Sequence, residues 1–319
     1  MYKDATILVT GGTGSWGIEL IRQLLTFHPK KIIVYSRNEN SQVELKRSMN
    51  DKRLLFFIGD IRDKEALLNA SANVDIIFHL AALKHVPVCE ENPVEAIKTN
   101  IMGTQNVIDA ALENEVEKVI YVSTDKAADP ANTYGMVKAL GEKLILHANE
   151  KKEKTKLCCV RGGNVLGSSG SVLPLFKKQI EELGEVHLTD KQMVRYFIAP
   201  EEAIKLLLKA AKITQGGEIF VMNMQAFRII DLAEVLIAQS GRNDVKVVEI
   251  GIRQGEKLEE VLVAEGEKAH TFQLDEDFLV IKSSSNGNST RLQSHLEVNE
   301  QQLLTKDEIK SMLEKAKLL

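Results

Sequence analysis

The chain has 319 residues, 44% of them apolar, enough to bury a large core in one or two domains. Its formal net charge of −4 argues against a general nucleic-acid binder, and no apolar run approaches the roughly 18 residues that a membrane span needs. Met1 to Asp4 leads into a strand pattern and not a signal peptide, and Cys89, Cys158 and Cys159 have neither metal-ligand spacing nor the even count of a disulfide framework. A cytoplasmic protein without a metal is therefore expected.

Thr6–Thr10 is a β-branched run that feeds Gly11-Gly12-Thr13-Gly14-Ser15-Trp16-Gly17, followed by helical spacing through Leu25. Strand, glycine turn and helix in that order bring backbone N–H groups and a helix dipole to a pyrophosphate, which predicts a dinucleotide site of the Rossmann type. A second strand, Lys31–Tyr35, ends in Ser36-Arg37-Asn38. An acid there would hold ribose hydroxyls, whereas a hydroxyl and a guanidinium suit a 2′-phosphate, so NADP is favoured over NAD. Leu55 to Asp60 predicts a third strand that brings Asp60 to the adenine, and Val74 to Leu80 a fourth. Ala81-Ala82 after it lets the backbone approach the cofactor. A loop from Lys84 to Pro93 then opens a helix with Thr99 and Asn100. Lys84 and His85 are in reach of a substrate, although a packed histidine is the default for His85.

Lys118–Val122 reads as a buried parallel strand, which puts Ser123-Thr124-Asp125-Lys126 at its C-terminal end, where open α/β sheets bind ligands. Helical spacing from Asn132 to Ala148 sets Tyr134 and Lys138 on one face. An ammonium near a phenol favours the phenolate, so Tyr134 is read as a base for a hydroxyl that loses its proton as hydride leaves carbon. Such a pair alone is a weak signal, but the dinucleotide motif upstream strengthens it. Asp125 and Lys126 add an acid and a second base, more than a simple alcohol dehydrogenase requires and suited to an oxidation coupled to an elimination.

Leu157–Val160 predicts a further strand in which Cys158 and Cys159 are inert core residues. Gly162 to Ser171, rich in glycine and serine, fits either a linker between lobes or a backbone cradle for a diphosphate. Arg195 to Leu208 reads as strand and helix, Glu218–Met222 as a strand, and Ile229–Ala238 as a helix. Arg253 sits in a glycine-bounded loop suited to phosphate, and the tail from Thr290 is polar and helical. The expected fold class is α/β: a Rossmann-type doubly wound parallel sheet over residues 1–165, to which about 190–210 return. A smaller α/β substrate-binding lobe is built mainly from 166–319.

Five blocks carry a closer likeness: Ala81–Pro87, Lys98–Gly103, Ser123–Ala127, Gly170–Pro174, and Ile250–Arg253 with Gly255–Lys257. On these the chain, from about residue 5 to 282, resembles the extended short-chain dehydrogenases/reductases, and within them the UDP-N-acetylglucosamine 4,6-dehydratase family of the C5-inverting type. The resemblance implies an NADP-dependent lyase of bacterial surface or flagellar glycan synthesis. Tyr134 would deprotonate the sugar 4-hydroxyl with Lys138 in support, Lys126 would remove H5, and protonated Asp125 would assist loss of the 6-hydroxyl. It assigns the cofactor to Gly11, Thr13, Gly14, Ser15, Trp16, Gly17, Ser36, Arg37, Asp60, Ile61, Ala81, Ala82, Lys84, Tyr134 and Lys138. The UDP-sugar falls to Lys84, Thr124, Asn164, Val172, Pro174, Arg195, Arg253 and Glu256, and a dimer or hexamer is implied. Relatives commonly carry an aromatic residue at Gly162 and an arginine at Ser169, departures on the sugar side. Alternative readings are a C5 epimerase acting on a 4-keto-6-deoxy UDP-sugar, a retaining dehydratase and, more remotely, a non-catalytic NADP sensor.

Overall fold

A computed structural model of the protein describes residues 1–151, 154–168, 170–282 and 303–319. Six strands build the first half of the sheet: β1 (Thr6–Thr10), β2 (Lys31–Ser36), β3 (Leu54–Ile58), β4 (Ile76–His79), β5 (Lys118–Thr124) and β6 (Lys156–Gly162). They are parallel in the order 3-2-1-4-5-6. Helices cover parallel sheets on both faces, so such strands read as continuous apolar runs; all five residues of β1 and six of the seven in β5 are buried. The chain reverses its direction of growth between β1 and β4. Their C-terminal ends therefore frame the crevice where such sheets receive ligands.

Helix α1 (Ser15–Thr26) follows the glycine turn, and α2 (Thr133–Lys151) follows the short Asp125–Ala127 turn at the end of β5. Between β4 and β5 lies a π-helical stretch, Ile97–Met102. Its Asn100 donates from Nδ2 to the Leu83 carbonyl and accepts from the Leu83 N–H, both at 2.8 Å, which fixes the loop that follows β4.

Residues after 162 serve both halves of the molecule. β7 (Asn164–Val165), β9 (Val194–Ile198) and β11 (Gln225–Arg228) form a three-stranded sheet, and β8 (Glu185–Leu188) pairs with β12 (Lys246–Glu249). By contrast β10 (Glu218–Met222) extends the main sheet in parallel beside β6. β14 (Phe278–Lys282) joins β10 in antiparallel fashion, and β13 (Thr271–Gln273) closes that edge. A helix at Pro200–Ile213 packs on α1. Of the 190–210 segment it is thus the helix that lies on the main sheet, while β9 belongs to the small one. Two apolar cores result, one under the large sheet and one gathered around Phe176, Phe197, Phe227 and Leu232. The tail contributes a helix at Lys306–Lys315, whose Ile309 and Leu313 complete the second core.

The main sheet contains a paired charge cluster. Arg161 of β6, 1% exposed, donates to both carboxylate oxygens of Glu142 on α2 at 2.8 and 2.7 Å. It also donates to both of Glu267 at 2.7 Å. It therefore ties α2 to the chain segment just after the Gly255–Glu260 loop. Replacing Arg161 by Met leaves Glu142 buried and unpaired, which is expected to cost about 3–5 kcal/mol, read from urea denaturation of the full chain. An unchanged midpoint would contradict it.

Candidate active site

The turn after β1 is shaped by backbone proximity. Gly11 has φ +70°, and a Cβ there would meet the Ala81 backbone nitrogen at 2.8 Å, so the loops after β1 and β4 touch without side chains between them. Helix α1 starts at Ser15 with no side-chain cap, leaving its first N–H groups at the mouth of a cleft. That cleft, about 580 Å³, is lined by Gly11, Thr13, Gly14, Ser15, Trp16, Gly17, Ser36, Arg37, Asp60, Ile61, Ala81, Ala82 and Lys84. All these residues, assigned to the cofactor by the sequence, thus converge there, together with Tyr134 and Lys138. Tyr35, Thr99, Val122 and Ser123 also line it.

Asp60 is fixed beside the strand ends: Arg62 donates to it from Nε at 2.9 Å and from an Nη at 2.7 Å, and Arg37 stands 3.7 Å away. Burial pushes the Asp60 carboxyl up, but the Arg62 bonds and the charge of Arg37 outweigh it and hold the group below its usual range. Arg37 keeps more than half of its side chain exposed. The uncapped helix start, the side-chain-free contact of Gly11 with Ala81, and the buried, unpartnered Ser123 hydroxyl at the cleft wall fit a dinucleotide in chemistry and shape.

At the end of β5 the acid–base residues are brought together. Asp125 is wholly buried and Lys126 is 16% exposed, with Nζ 3.1 Å from Asp125 Oδ1. That oxygen also accepts from the Thr124 hydroxyl at 2.8 Å and from the Lys126 N–H at 2.9 Å, whereas Oδ2 has no partner. Helix α2 is capped by Asn132, whose Oδ1 accepts from the Gly135 N–H at 2.8 Å. Gly135 then packs directly on the Lys126 carbonyl, in space that no side chain could share. This contact sets Tyr134 next to the Asp125–Lys126 turn and the Thr124 side chain.

Electrostatics differ from the expectation of a phenol activated by its lysine. Burial pushes Tyr134 well above the ordinary phenol range; the Thr124 hydrogen bond opposes this, and the charge of Asp125 adds to it. Burial also pushes the Lys138 amine down to about 7, against the pull of Glu142. Lys138 donates to the Val122 carbonyl at 2.6 Å and lies 3.8 Å from the centre of the Tyr121 ring. Desolvation, which disfavours both charged forms, outweighs the pairing that spacing alone suggested.

The residues assigned to the UDP-sugar divide. Lys84, Thr124 and Asn164 line the cleft, and Asn164 donates to the Tyr196 carbonyl at 3.0 Å. Val172 and Pro174 lie in the first turn of the helix Val172–Glu182, behind Ser171, which lines the cleft. Arg253 and Glu256 pair with each other at 3.8 Å on their loop. Arg195 is buried and gives its guanidinium to the carbonyls of Val194, Lys257 and Leu258 at 2.7 to 3.0 Å, which makes it a brace for that loop. His85 packs its ring on Gly170 across the cleft mouth. Gly162 stands where the Trp16 indole fills the space: a Cβ there would lie 3.1 Å from it. Ser169 lies outside the described residues.

One residue has no counterpart in the sequence reading. Glu260, its side chain 4% exposed, stands 3.7 Å from Lys126 Nζ. The motif Gly255-Glu256-Lys257 draws notice to the loop, but nothing local links position 260 to Lys126.

A model of the polysaccharide biosynthesis protein family matches residues 7–282. An uncharacterized membrane protein of Methanocaldococcus jannaschii is 45% identical over 326 aligned residues, covering all of this chain and 98% of that one. Among the described residues here, no helix is long and apolar enough to cross a membrane. The inverting UDP-N-acetylglucosamine 4,6-dehydratase of Campylobacter jejuni is 43% identical over 287 residues, 89% of this chain and 84% of that one. Among solved structures, the X-ray structure of Pen from Bacillus thuringiensis superposes with a TM-score of 0.95 at 38% identity over the whole of both chains.

Trp16, the chain's single tryptophan, reports on the cleft. Adding a reduced nicotinamide dinucleotide is expected to quench its fluorescence. Gly11→Ala should abolish that quenching, while Gly266→Ala, with open space around it, should leave it intact. Equal quenching in all three proteins would place the dinucleotide elsewhere.

Proposed function

The chain belongs to the polysaccharide biosynthesis protein family, and from that premise we propose that it is a UDP-N-acetylglucosamine 4,6-dehydratase that inverts C5 and works with NADP. The observation that carries this reading is the convergence of Asp125, Lys126 and Tyr134 at one end of β5, beside a dinucleotide-shaped cleft. A simple dehydrogenase has no use for a buried carboxylate and an amine in addition to its tyrosine. The likeness to the Campylobacter enzyme supports the sugar and the stereochemistry. Arg37, exposed at the cleft beside Ser36, supports the 2′-phosphate.

When bound, the oxidised nicotinamide supplies a hydride acceptor for C4 and later a hydride donor for C6, so the overall change is loss of one water from the sugar. The protein's part is proton handling. Tyr134 would act as its phenolate, Oη taking the 4-hydroxyl proton; Lys138, one helical turn on and when protonated, and the positive charge of the oxidised nicotinamide, when bound, are the cations that would favour that form against burial. The ketone at C4 acidifies H5, which the Lys126 amine removes to leave an enolate; the enolate's electron pair then forms the C5=C6 double bond as the C6–O bond breaks. Asp125, protonated, would deliver a proton to the departing hydroxyl; its buried Oδ2 is the oxygen not already engaged by Thr124 and Lys126. Return of a proton to the opposite face of C5 gives inversion.

The same reading makes the protein a homo-oligomer that works in the cytoplasm. Three free, buried cysteines suit a reducing compartment. Val94, Ile97 and Met102 lie on helical segments that pack against α2, which itself exposes Met136 and Leu140, an apolar face suited to a second copy. Leu140→Glu is expected to lower the mass measured by light scattering to that of a single chain; no change would move the interface elsewhere.

Mass spectrometry of the nucleotide sugar tests the chemistry. Wild-type protein should convert UDP-N-acetylglucosamine to a product lighter by one water. Tyr134→Phe should slow this by about 10²- to 10⁴-fold, the usual worth of a positioned acid–base group. Turnover at the wild-type rate in the Phe variant would remove Tyr134 from its role.

A further inference from the structure

Lys126 has to be neutral to take H5 and an ammonium immediately afterwards. Its surroundings bear directly on that exchange. Two acidic side chains flank the amine: Asp125 Oδ1 at 3.1 Å and Glu260 Oε1 at 3.7 Å, the latter 4% exposed. Asp125 comes from the end of β5, whereas Glu260 arrives on the loop that begins at Arg253.

That loop is braced at several points. Arg195 donates to the carbonyls of Lys257 and Leu258 at 2.8 and 3.0 Å. Asn132, the cap of α2, donates to the Gly255 carbonyl at 2.9 Å, and Lys257 Nζ bonds both the carbonyl and the carboxylate of Asp129. The loop is thus anchored to the two elements that carry Lys126 and Tyr134, and such bracing fixes where the Glu260 carboxylate stands. Burial of a carboxylate without purpose is costly, and burial raises the Glu260 carboxyl above its ordinary range, opposed by Lys126, reinforced by Asp125, and opposed further by Arg195 and Lys257.

We propose that Glu260 is a positioning residue that acts through Lys126: it holds the amine between itself and Asp125, and it stabilises the ammonium formed when that amine takes H5. The assignment rests on the dehydratase reading for its substrate, but its electrostatic part does not. In the step concerned the C5–H bond breaks, an N–H bond forms on Lys126, and the electron pair of the C5–H bond moves toward the C4 ketone as an enolate. Glu260 neither gains nor loses a bond. Its negative charge faces the positive charge that the amine gains, and the contact keeps the long lysine side chain at one station.

The test compares wild-type holoenzyme with Glu260→Gln and Glu260→Asp. Acetic anhydride reacts with neutral amines, and peptide mass spectrometry reads labelling of Lys126 as a function of pH. Removing the negative charge should move the labelling midpoint of the Gln variant to lower pH by about one unit or more, with the Asp variant in between. In parallel, kcat for water loss should fall more than KM rises in the Gln variant, and its pH profile should shift in the same direction as the labelling. If the Gln variant fails to fold, Glu260→Asp carries the test with a smaller shift of the same sign. Labelling profiles that coincide in all folded proteins overturn the proposal. A wild-type protein that makes no dehydrated product, but shows the labelling shift, would remove the dehydratase reading and leave the Glu260–Lys126 coupling standing.

Discussion

The site depends on one close approach, that of the first turn of α2 to the backbone of the Asp125–Ala127 turn. Gly135 rests on the Lys126 carbonyl, and Asn132 caps the helix at the same place. Any side chain at Gly135 would lift the helix and draw Tyr134 away from Thr124 and the acid–base turn. Because both partners are anchored to β5, the relative placement of phenol, amine and carboxylate is set by main-chain packing and not by long, mobile side chains. Rigid elements of this kind hold catalytic geometry better than loops do.

Burial then decides the electrostatics. Asp125, Lys138, Glu142, Arg161 and Glu260 are all among the buried charged residues, and each is paired or hydrogen-bonded. Desolvation moves Tyr134 up and Lys138 down, so neither charged form is favoured by default. A site arranged in this way gives up its protons only where a specific neighbour compensates, which suits a sequence of transfers that have to happen in order. The Arg161 cluster serves the same end from below, since it fixes α2 against β6 and against the segment that follows the Glu260 loop.

Much of this was legible in the sequence because it is local. The glycine turn after β1, the run Lys118–Thr124 that ends in the acid and amine, and the four-residue spacing of Tyr134 and Lys138 are all contiguous patterns, and the structure brings them to one cleft. What stayed hidden depends on distant contacts. Position 260 stands beside Lys126 only when the loop folds over it, and the bracing of Lys257 and Leu258 by Arg195, a residue the resemblance gives to the UDP-sugar, is likewise invisible in local patterns. The strand at Glu218–Met222 was visible, yet its place beside β6 in the main sheet was not, because strand order is set by the packing of helices between strands. The phenol's shift went the other way from the spacing argument, since spacing carries no information on desolvation.

Proton NMR of the purified protein with UDP-N-acetylglucosamine in D2O tests the central claim most directly. The account predicts a new C6 methyl signal, deuterium at C5, and ring couplings of the inverted hexosamine. Silence with this sugar, combined with deuterium exchange at C5 of a supplied 4-keto-6-deoxy UDP-sugar, would contradict it and make the protein an epimerase.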